Sequence, residues 1–403
     1  MRLAFICTEK LPSPAIRGGA IQVLIDGVVP FISNKHQLTI FGICDPDLPD
    51  QQIKDGVRYI RVPRQQYLRN IVLKLREMNG QFDVIHVFNR PRYLPFFKAA
   101  CPRARFVLSL HNEMFKPGKL TNVEGRIVVS TASRIVTVSN FIGRTVTYRF
   151  PVAQSKVRTL YSGVDPQRFA PMWTIRARLA KNRMKRKLGI ENKQVLLFVG
   201  RLSIKKGPHL LIQALTTLKN KHKDLVLVIV GSKWFGVDQE TEYTRWLRQL
   251  SEPVKDRLIF TGWAPYHQIP DYFMMGDIFV CASQWQEPLA RVHYEAMAAG
   301  LPIITTNRGG NAEVVKSLGN GIIIDKYNDP QQFVNKVDYL ITHPDVAKSM
   351  GEKGRALVEG KFNFDRVARE LVATYQGTLN SPLTRVPNLS RISQARRKRK
   401  TVK

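Results

Sequence analysis

Short runs of β-branched and other apolar residues alternate along the chain with longer amphipathic segments. In the first half, the apolar runs are RLAFIC, QLTIFGI, FDVIHVF, RFVLSL, RIVTV and VRTL. Runs of this length that are bounded by turn residues indicate buried strands, and amphipathic segments between them indicate helices. The pattern therefore predicts a βαβ series with a parallel sheet.

The series begins again with QVLLFVG, LVLVIVG, RLIFTG, DIFVCAS, LPIITT and GIIID. We therefore predict an α/β protein with two doubly wound, Rossmann-like domains, whose parallel sheets face each other across a cleft. Residues 1–170 and 193–362 are the predicted domains. Residues 171–192 are predicted to form a linker helix, 363–380 a helix that crosses the domain junction, and 381–403 a disordered tail.

Length and composition agree with this class. A chain of 403 residues is too long for one ordinary core, and no apolar run reaches the roughly 18 residues that a membrane span needs. The first apolar run is too short for a signal peptide, so we expect a cytoplasmic protein. Four widely separated cysteines show no metal-ligand spacing and are expected to be reduced: Cys7, Cys44, Cys101 and Cys281.

The net charge of +32 is unevenly distributed. Residues 171–190 contain seven Arg and Lys and no acid, and residues 381–403 contain eight and no acid. Such a balance favours an anionic partner, and nucleic acid, anionic lipid, polyanionic glycan or acidic protein would all serve. The tail has no interleaved aromatic residues, so we expect diffuse association with an anionic surface or polymer and do not expect nucleic-acid recognition.

A loop with fixed cations follows the strand-like run QVLLFV. Gly200 ends the run, and Arg201 and Lys206 leave the same loop. Ligands of parallel sheets lie at the carboxyl ends of strands, where an Arg and a Lys suit a diphosphate. A solvated basic loop is the alternative interpretation.

Two acids in QWQEPLARVHYEAMAAG suggest the rest of such a ligand. Pro288 is expected at the first helical position and Gly300 after the last, so Glu287 and Glu295 would lie about 12 Å apart along one helix. That separation exceeds the carboxylate spacing of a glycosidase and fits a nucleotide sugar, with hydroxyls at both ends and phosphates between. The alternative is a solvated helix face that offsets nearby cations.

These residues resemble a known family. Seven stretches are similar to motifs of the retaining glycosyltransferases of family four, which have the GT-B architecture. They are GRLSIKKG, EPLARVHYEAMAAG, NRGGNAEVV, RGGAIQ, SLHNE, VSNF and YSGVDPQRF. The resemblance covers nearly the whole chain. TEKLPSPAIRGGAIQ and the basic character also resemble the spore coat protein SA group within that family.

The resemblance implies roles for individual residues. Arg201 and Lys206 would neutralise the donor diphosphate, Glu295 would bind ribose, and Glu287 would contact the donor sugar. His111 would touch that sugar from the first domain. Further donor contacts would come from Gly18, Gly19, Gly262, Trp263, Leu289, Ala290, Gly309, Gly310 and Glu313.

The chain departs from the family pattern at a few positions. Leu289 and Ala290 stand where Phe-Gly is usual, and the extra methyl group could alter the sugar pocket or weaken activity. Asn112 stands where an acid often follows the histidine, and Ser162 where asparagine is usual.

Three other sequence features do not indicate a second kind of site. Asp45 and Asp47 have a DxD spacing but lie in a proline-rich turn, so no metal is predicted. No G-x-G-x-x-G is present, which argues against a nicotinamide enzyme. His86, in an apolar run, is expected to be a hydrogen-bonded strand histidine.

The preferred hypothesis is transfer of a hexose from a nucleotide diphosphate sugar to an acceptor hydroxyl, with retention of the anomeric configuration. No cofactor is expected besides this co-substrate, for which a UDP-sugar is favoured. An acidic glycan or cell-surface acceptor is expected, with the protein peripheral to a membrane or spore coat. A coat or scaffold protein with little turnover and a GT-B nucleotide-sugar epimerase are the alternatives.

Overall fold

The computed structural model describes residues 1–232, 240–315 and 319–390. Contacts divide the chain into two compact units, Met1–Ser162 with Phe364–Lys403, and Gly163–Asn363. Each unit is a wholly or largely parallel sheet with helices on its faces. Every apolar run singled out in the sequence coincides with a strand, so the predicted fold class is confirmed.

The first unit has a sheet of order β3-β4-β2-β1-β5-β6-β7-β8, in which only the β3–β4 pair is antiparallel. Its strands are β1 Arg2–Ile6, β2 Gln37–Ile43, β3 Gln51–Lys54, β4 Val57–Val62, β5 Val84–Phe88, β6 Arg105–Leu110, β7 Arg134–Thr137 and β8 Val157–Thr159. Its first helices are α1 Ala20–Ser33, α2 Tyr67–Glu77, α3 Leu94–Ala100, α4 Asn122–Thr131 and α5 Asn140–Arg149. The sequence patterns did not predict β3 and β4.

The second unit has an all-parallel sheet of order β11-β10-β9-β12-β13-β14. Its strands are β9 Gln194–Val199, β10 Leu225–Val230, β11 Leu258–Gly262, β12 Ile278–Cys281, β13 Ile303–Thr306 and β14 Gly321–Ile324. Its helices are α6 Ile175–Leu188, α7 Pro208–Leu218, α8 Glu242–Ser251, α9 Ile269–Met275, α10 Val292–Ala298, α11 Pro330–Thr342 and α12 Pro344–Gly360. Strands β9 and β10 are almost entirely buried, as expected for strands covered on both faces.

Helix α6 is part of the second unit, whereas the sequence predicted a linker at residues 171–192. Ala177 and Ala180 are buried in a small apolar cluster with Ala170 and Met274 of α9. Lys181 and Lys185 both pair with Asp277 at the start of β12. These internal contacts fix the helix within the unit.

The last helix, α13 Phe364–Leu379, belongs to the first unit. The Phe364 ring packs on Gly27 of α1, where a Cβ would lie 2.4 Å from the ring. The Tyr375 hydroxyl lies 2.7 Å from His86 Nδ1, and His86 Nε2 lies 2.6 Å from Ser109 Oγ. The prediction of His86 as a hydrogen-bonded strand residue is confirmed. Burial lowers the pKa of His86 to about 3, so the ring is neutral.

Three further sequence predictions concern the cysteines, membrane spans and the tail. All four cysteines lie in the described chain and are unpaired. None of the described helices is both long enough and apolar enough to cross a bilayer. Residues 391–403 of the predicted tail lie outside the described residues.

Candidate functional site

A tight turn after β9 carries Lys206 to the carboxyl edge of the second sheet. Gly207 follows with φ +72°, and a Cβ there would lie 2.1 Å from the carbonyl oxygen of Ala282. Only glycine allows this approach without displacing the backbone. The turn therefore rests directly on the segment that leaves β12.

This contact places Lys206 beside Glu287. Lys206 Nζ lies 2.6 Å from Glu287 Oε2, which also accepts hydrogen bonds from Trp285 Nε1 at 2.7 Å and Ser283 Oγ at 3.1 Å. Glu287 is only 6% exposed. A buried carboxylate thus has one cationic and two neutral donors, all directed at one oxygen.

These donors determine the charge of Glu287. Burial alone would raise the pKa of this carboxyl group, but the Lys206 ammonium and the Trp285 and Ser283 donors lower it below its ordinary value. Glu287 is therefore ionised at neutral pH. Sequence analysis did not identify Ser283 and Trp285 as its partners, although both lie within four residues of it.

The segment that follows Glu287 is not the predicted helix. Helix α10 begins at Val292 rather than at Pro288. The Glu287 carbonyl accepts a hydrogen bond from Gly310 N at 2.8 Å, and Ala290 N donates to Asn311 Oδ1 at 3.1 Å. These bonds to the loop after β13 replace a helical turn, so the two glutamates do not mark the ends of one helix.

Gly309 makes that loop contact possible. Its φ is +62°, and a Cβ would lie 1.9 Å from the Glu287 carbonyl oxygen. Gly309 N donates to Gln286 Oε1 at 2.7 Å, and Glu313 follows in the short helical turn Asn311–Val314. The predicted Gly309, Gly310 and Glu313 thus lie in the loop that supports the Glu287 segment.

Glu295 lies on α10 and has a cationic neighbour of its own. Arg291 Nη2 lies 3.4 Å from Glu295 Oε1, and Arg291 Nη1 donates to the Gly163 carbonyl at 3.2 Å. Both side chains are largely buried. The structure therefore pairs each predicted acid with a different cation.

The departure at Leu289 and Ala290 is accommodated without backbone strain. Ala290 is buried and is not among the residues with positive φ. Its N–H is already bound by Asn311. Glycine is therefore not required here by conformation.

Arg201, Gly262 and Trp263 follow the carboxyl ends of β9 and β11, at the same edge of the parallel sheet as Glu287. Gly262 has φ +71°, and its carbonyl accepts from Gly231 N at 2.9 Å. Arg201 and Trp263 are exposed. They border the edge and do not take part in the buried Glu287 network.

The remaining predicted residues belong to the first unit. Gly18 and Gly19 have φ of +75° and +101° and precede α1, after β1. His111 follows β6, and its N–H donates to Asn89 Oδ1 at 3.1 Å. All three lie at carboxyl ends of strands of the first sheet.

The acidic turn set aside as a metal site has another partner. The Arg17 guanidinium bridges Asp45 and Asp47, at 3.0 and 2.5 Å. Among the described residues, no group of three or more His, Cys, Asp or Glu is placed to hold a metal ion.

The chain has two α/β units, and the second has Lys206 and Arg201 at the carboxyl edge of its parallel sheet. This arrangement is typical of proteins that bind nucleotides. Comparison with known proteins agrees. The family described as "Glycosyl transferases group 1" matches residues 180–357, and "Glycosyltransferase Family 4" matches residues 18–168. The structure of HepE from Anabaena in complex with UDP covers 94% of this chain and 100% of its own, with TM-score 0.73 and 20% identity. WaaG, a glycosyltransferase involved in lipopolysaccharide biosynthesis, covers 93% and 100%, with TM-score 0.68 and 17% identity. The fold is GT-B.

Two relatives from Bacillus subtilis are much more similar in sequence. Putative glycosyltransferase YtcC is 50% identical over 94% of this chain and 93% of its own length. Spore coat protein SA is 45% identical over 93% and 99%. The chain belongs to the group 1 glycosyltransferases, in the group that contains spore coat protein SA.

Proposed function

We propose that this protein is a retaining glycosyltransferase that moves a hexose from a UDP-sugar to a hydroxyl of a spore-coat or cell-surface glycan. The observation that carries the proposal is the buried Lys206–Glu287 pair at the carboxyl edge of the second sheet. UDP is favoured because HepE structures contain UDP and UDP-glucose. The glycan assignment rests on the similarity to spore coat protein SA.

Lys206 is suited to hold a phosphate without leaving Glu287. An ammonium group has three donors, and the pair with Glu287 occupies one of them. Its side chain keeps 19% exposure. Arg201, which leaves the same loop, adds a second cation that can bind a diphosphate oxygen. Together they would neutralise the departing diphosphate without a divalent cation.

Glu287 is suited to bind a sugar hydroxyl. Within the described chain its three donors all go to Oε2, which leaves Oε1 as an acceptor. A carboxylate that stays ionised accepts such a bond strongly. Glu295, ordered by Arg291, would accept hydrogen bonds from the ribose diol.

The chemical step would be a substitution on one face of the sugar. The bond from the anomeric carbon to the diphosphate oxygen breaks while the bond to the acceptor oxygen forms on the same face. The acceptor proton passes to the departing phosphate oxygen, and nucleoside diphosphate leaves. The protein would work in the cytoplasm, where nucleotide sugars are available.

Ligand-induced stabilisation tests the donor, because a ligand that binds only the folded state raises the melting temperature. UDP and UDP-hexoses should raise it in the wild type, and Glu295→Gln should weaken that effect. A larger shift with GDP or ADP compounds would reject the base assignment. An NMR spectrum of the transfer product should show the donor's anomeric configuration, with activity unchanged by EDTA. An inverted product, or a rearranged free nucleotide sugar, would contradict the proposed reaction.

A further inference from the structure

Helix α6 presents apolar side chains at the centre of its solvent-facing side. Ile175 and Leu179, one turn apart, are 69% and 65% exposed. The opposite side packs through Ala177, Ala180 and Met184, which are buried. Two apolar residues in the middle of a polar stripe are unusual for a helix whose packing face is already satisfied.

A partly exposed tryptophan lies two residues before Ile175, just ahead of the helix. Trp173 is 42% exposed, and its inner edge packs on Gly300, where a Cβ would lie 2.7 Å from the ring. Met172 N donates to the Ala299 carbonyl at 3.0 Å and fixes the segment. We call the exposed large apolar residues of this segment the α6 strip: Trp173, Ile175 and Leu179.

Cations flank the strip on both sides. On a helical projection, Arg178 lies to one side, Arg176 and Lys187 to the other, and Arg186 in line with the apolar pair; all four are exposed. No acid occurs in residues 171–190. Three other cations of the helix pair with acids of the same unit, Lys181 and Lys185 with Asp277 and Arg183 with Asp271. The outer face therefore keeps its positive charge.

We propose that α6 lies on the surface of an anionic phospholipid bilayer, with the α6 strip among the upper acyl chains and the arginines at the headgroups. A soluble polyanion would satisfy the cations but leave the apolar strip in water. An anionic bilayer satisfies both, and this pattern with an interfacial Trp is typical of helices that lie in the membrane plane. The surface belongs to the second unit and does not depend on the proposed transfer reaction.

Co-sedimentation with vesicles tests the proposal on the full chain. Vesicles of phosphatidylcholine with about a third phosphatidylglycerol should bind the protein, with weaker binding at high salt, and pure phosphatidylcholine should bind it poorly. Replacing Ile175 and Leu179 together by Gln should weaken vesicle binding by about tenfold or more. The matched control is Ile53→Gln, because Ile53 is 77% exposed on edge strand β3 and should be neutral.

Soluble polyphosphate separates lipid docking from charge alone. The Ile175→Gln/Leu179→Gln variant should bind polyphosphate like the wild type, because the cations are unchanged. Brominated lipids provide a positional readout: they should quench tryptophan fluorescence, and Trp173→Phe should remove that quenching while Trp246→Phe, at 40% exposure, should not. Circular dichroism and melting temperature confirm that each variant is folded. Absence of vesicle binding, or a Gln pair that binds vesicles like the Ile53→Gln control, would overturn the proposal and leave a protein partner as the occupant to be sought.

Discussion

Lys206 Nζ lies 2.6 Å from Glu287 Oε2, and both side chains are mostly buried. Each group therefore has a structural role as well as its proposed ligand contact. Removing either one leaves the other charged, desolvated and without its main partner. Loss of activity in a single variant at this pair would combine a lost ligand contact with a damaged fold.

A double-mutant cycle separates these effects. Lys206→Met should lower the free energy of unfolding by about 3–5 kcal/mol, because it leaves the Glu287 carboxylate buried without its cation. Adding Glu287→Gln should recover part of that loss, since no uncompensated charge remains. Urea denaturation measures both values. Arg201→Met is the control: Arg201 is exposed, so its replacement should cost much less stability than Lys206→Met while weakening donor binding.

Glu287 should also contribute to acid sensitivity. Its pKa is lower in the folded than in the unfolded protein, so its contribution to stability is present at neutral pH and is lost as pH falls below the unfolded value of about 4.3. Wild-type melting temperature should therefore fall more steeply between pH 5 and about 3 than that of Glu287→Gln. Parallel curves for the two proteins would show that the carboxylate is not held by its donors.

Ionisation of Asp26 should lower the stability of the protein, whereas ionisation of Glu287 raises it. Burial raises the pKa of this α1 carboxyl group to about 6, although the Ala15 N–H lies 2.7 Å from Oδ2. A folded pKa above the unfolded one means that the cost to stability develops as pH rises above about 4 and is fully present above about 6. Asp26→Asn, which keeps an acceptor for Ala15, should stabilise the protein at pH 8 by up to about 3 kcal/mol and change little at pH 4. Thermal melts at the two pH values check this.

Gly309 and Gly189 have nearly equal φ values, +62° and +67°, but different surroundings. A Cβ at Gly189, after α6, meets no atom within 4 Å, so Gly189→Ala should cost only about 1 kcal/mol for the left-handed backbone. Gly309→Ala should cost at least about 2 kcal/mol more, because its Cβ would collide with the Glu287 carbonyl. Equal costs by urea denaturation would show that the loop moves away freely.

The His86–Tyr375 bond gives a test in the first unit. Tyr375→Phe removes the hydroxyl 2.7 Å from a fully buried His86 Nδ1 and leaves that ring nitrogen without its partner. We expect a loss of about 1–3 kcal/mol in the free energy of unfolding. Tyr148→Phe, at a tyrosine that is almost fully exposed, is the control and should be neutral. Similar values for the two variants would contradict a structural role for the bond.

Sequence patterns predicted most strands because both sheets consist largely of buried parallel strands with continuous apolar runs. Strand β3 was missed because QQIK is short, polar and at a sheet edge, and its partner β4 was missed as well. The Asp55-Gly56 pair between the two strands is nevertheless a turn signal. The misplaced start of α10 has a non-local cause, since Pro288 would suit a helix start but Gly310 and Asn311 bind the backbone nearby.

Sequence analysis identified charged candidate residues but not the contacts between them. Lys206, Glu287 and the Gly309–Gly310 loop were identified from sequence, and the structure brings them together. The contact between Gly207 and Ala282 that aligns the two loops depends on strand order, which no local pattern reveals. The packing of α6 was hidden because its alanines are small and interleaved with cations.

The assignment of α13 to the first unit affects how the protein is made. The second unit is one continuous stretch, Gly163–Asn363, and can complete its sheet while the ribosome is still adding the residues that follow. The first unit waits for Phe364 and Tyr375 to emerge before Gly27 and His86 acquire their partners. The half of the polypeptide that is translated earliest is therefore the half that matures last, and a nascent chain that stalls before the final helix leaves its oldest part unfinished.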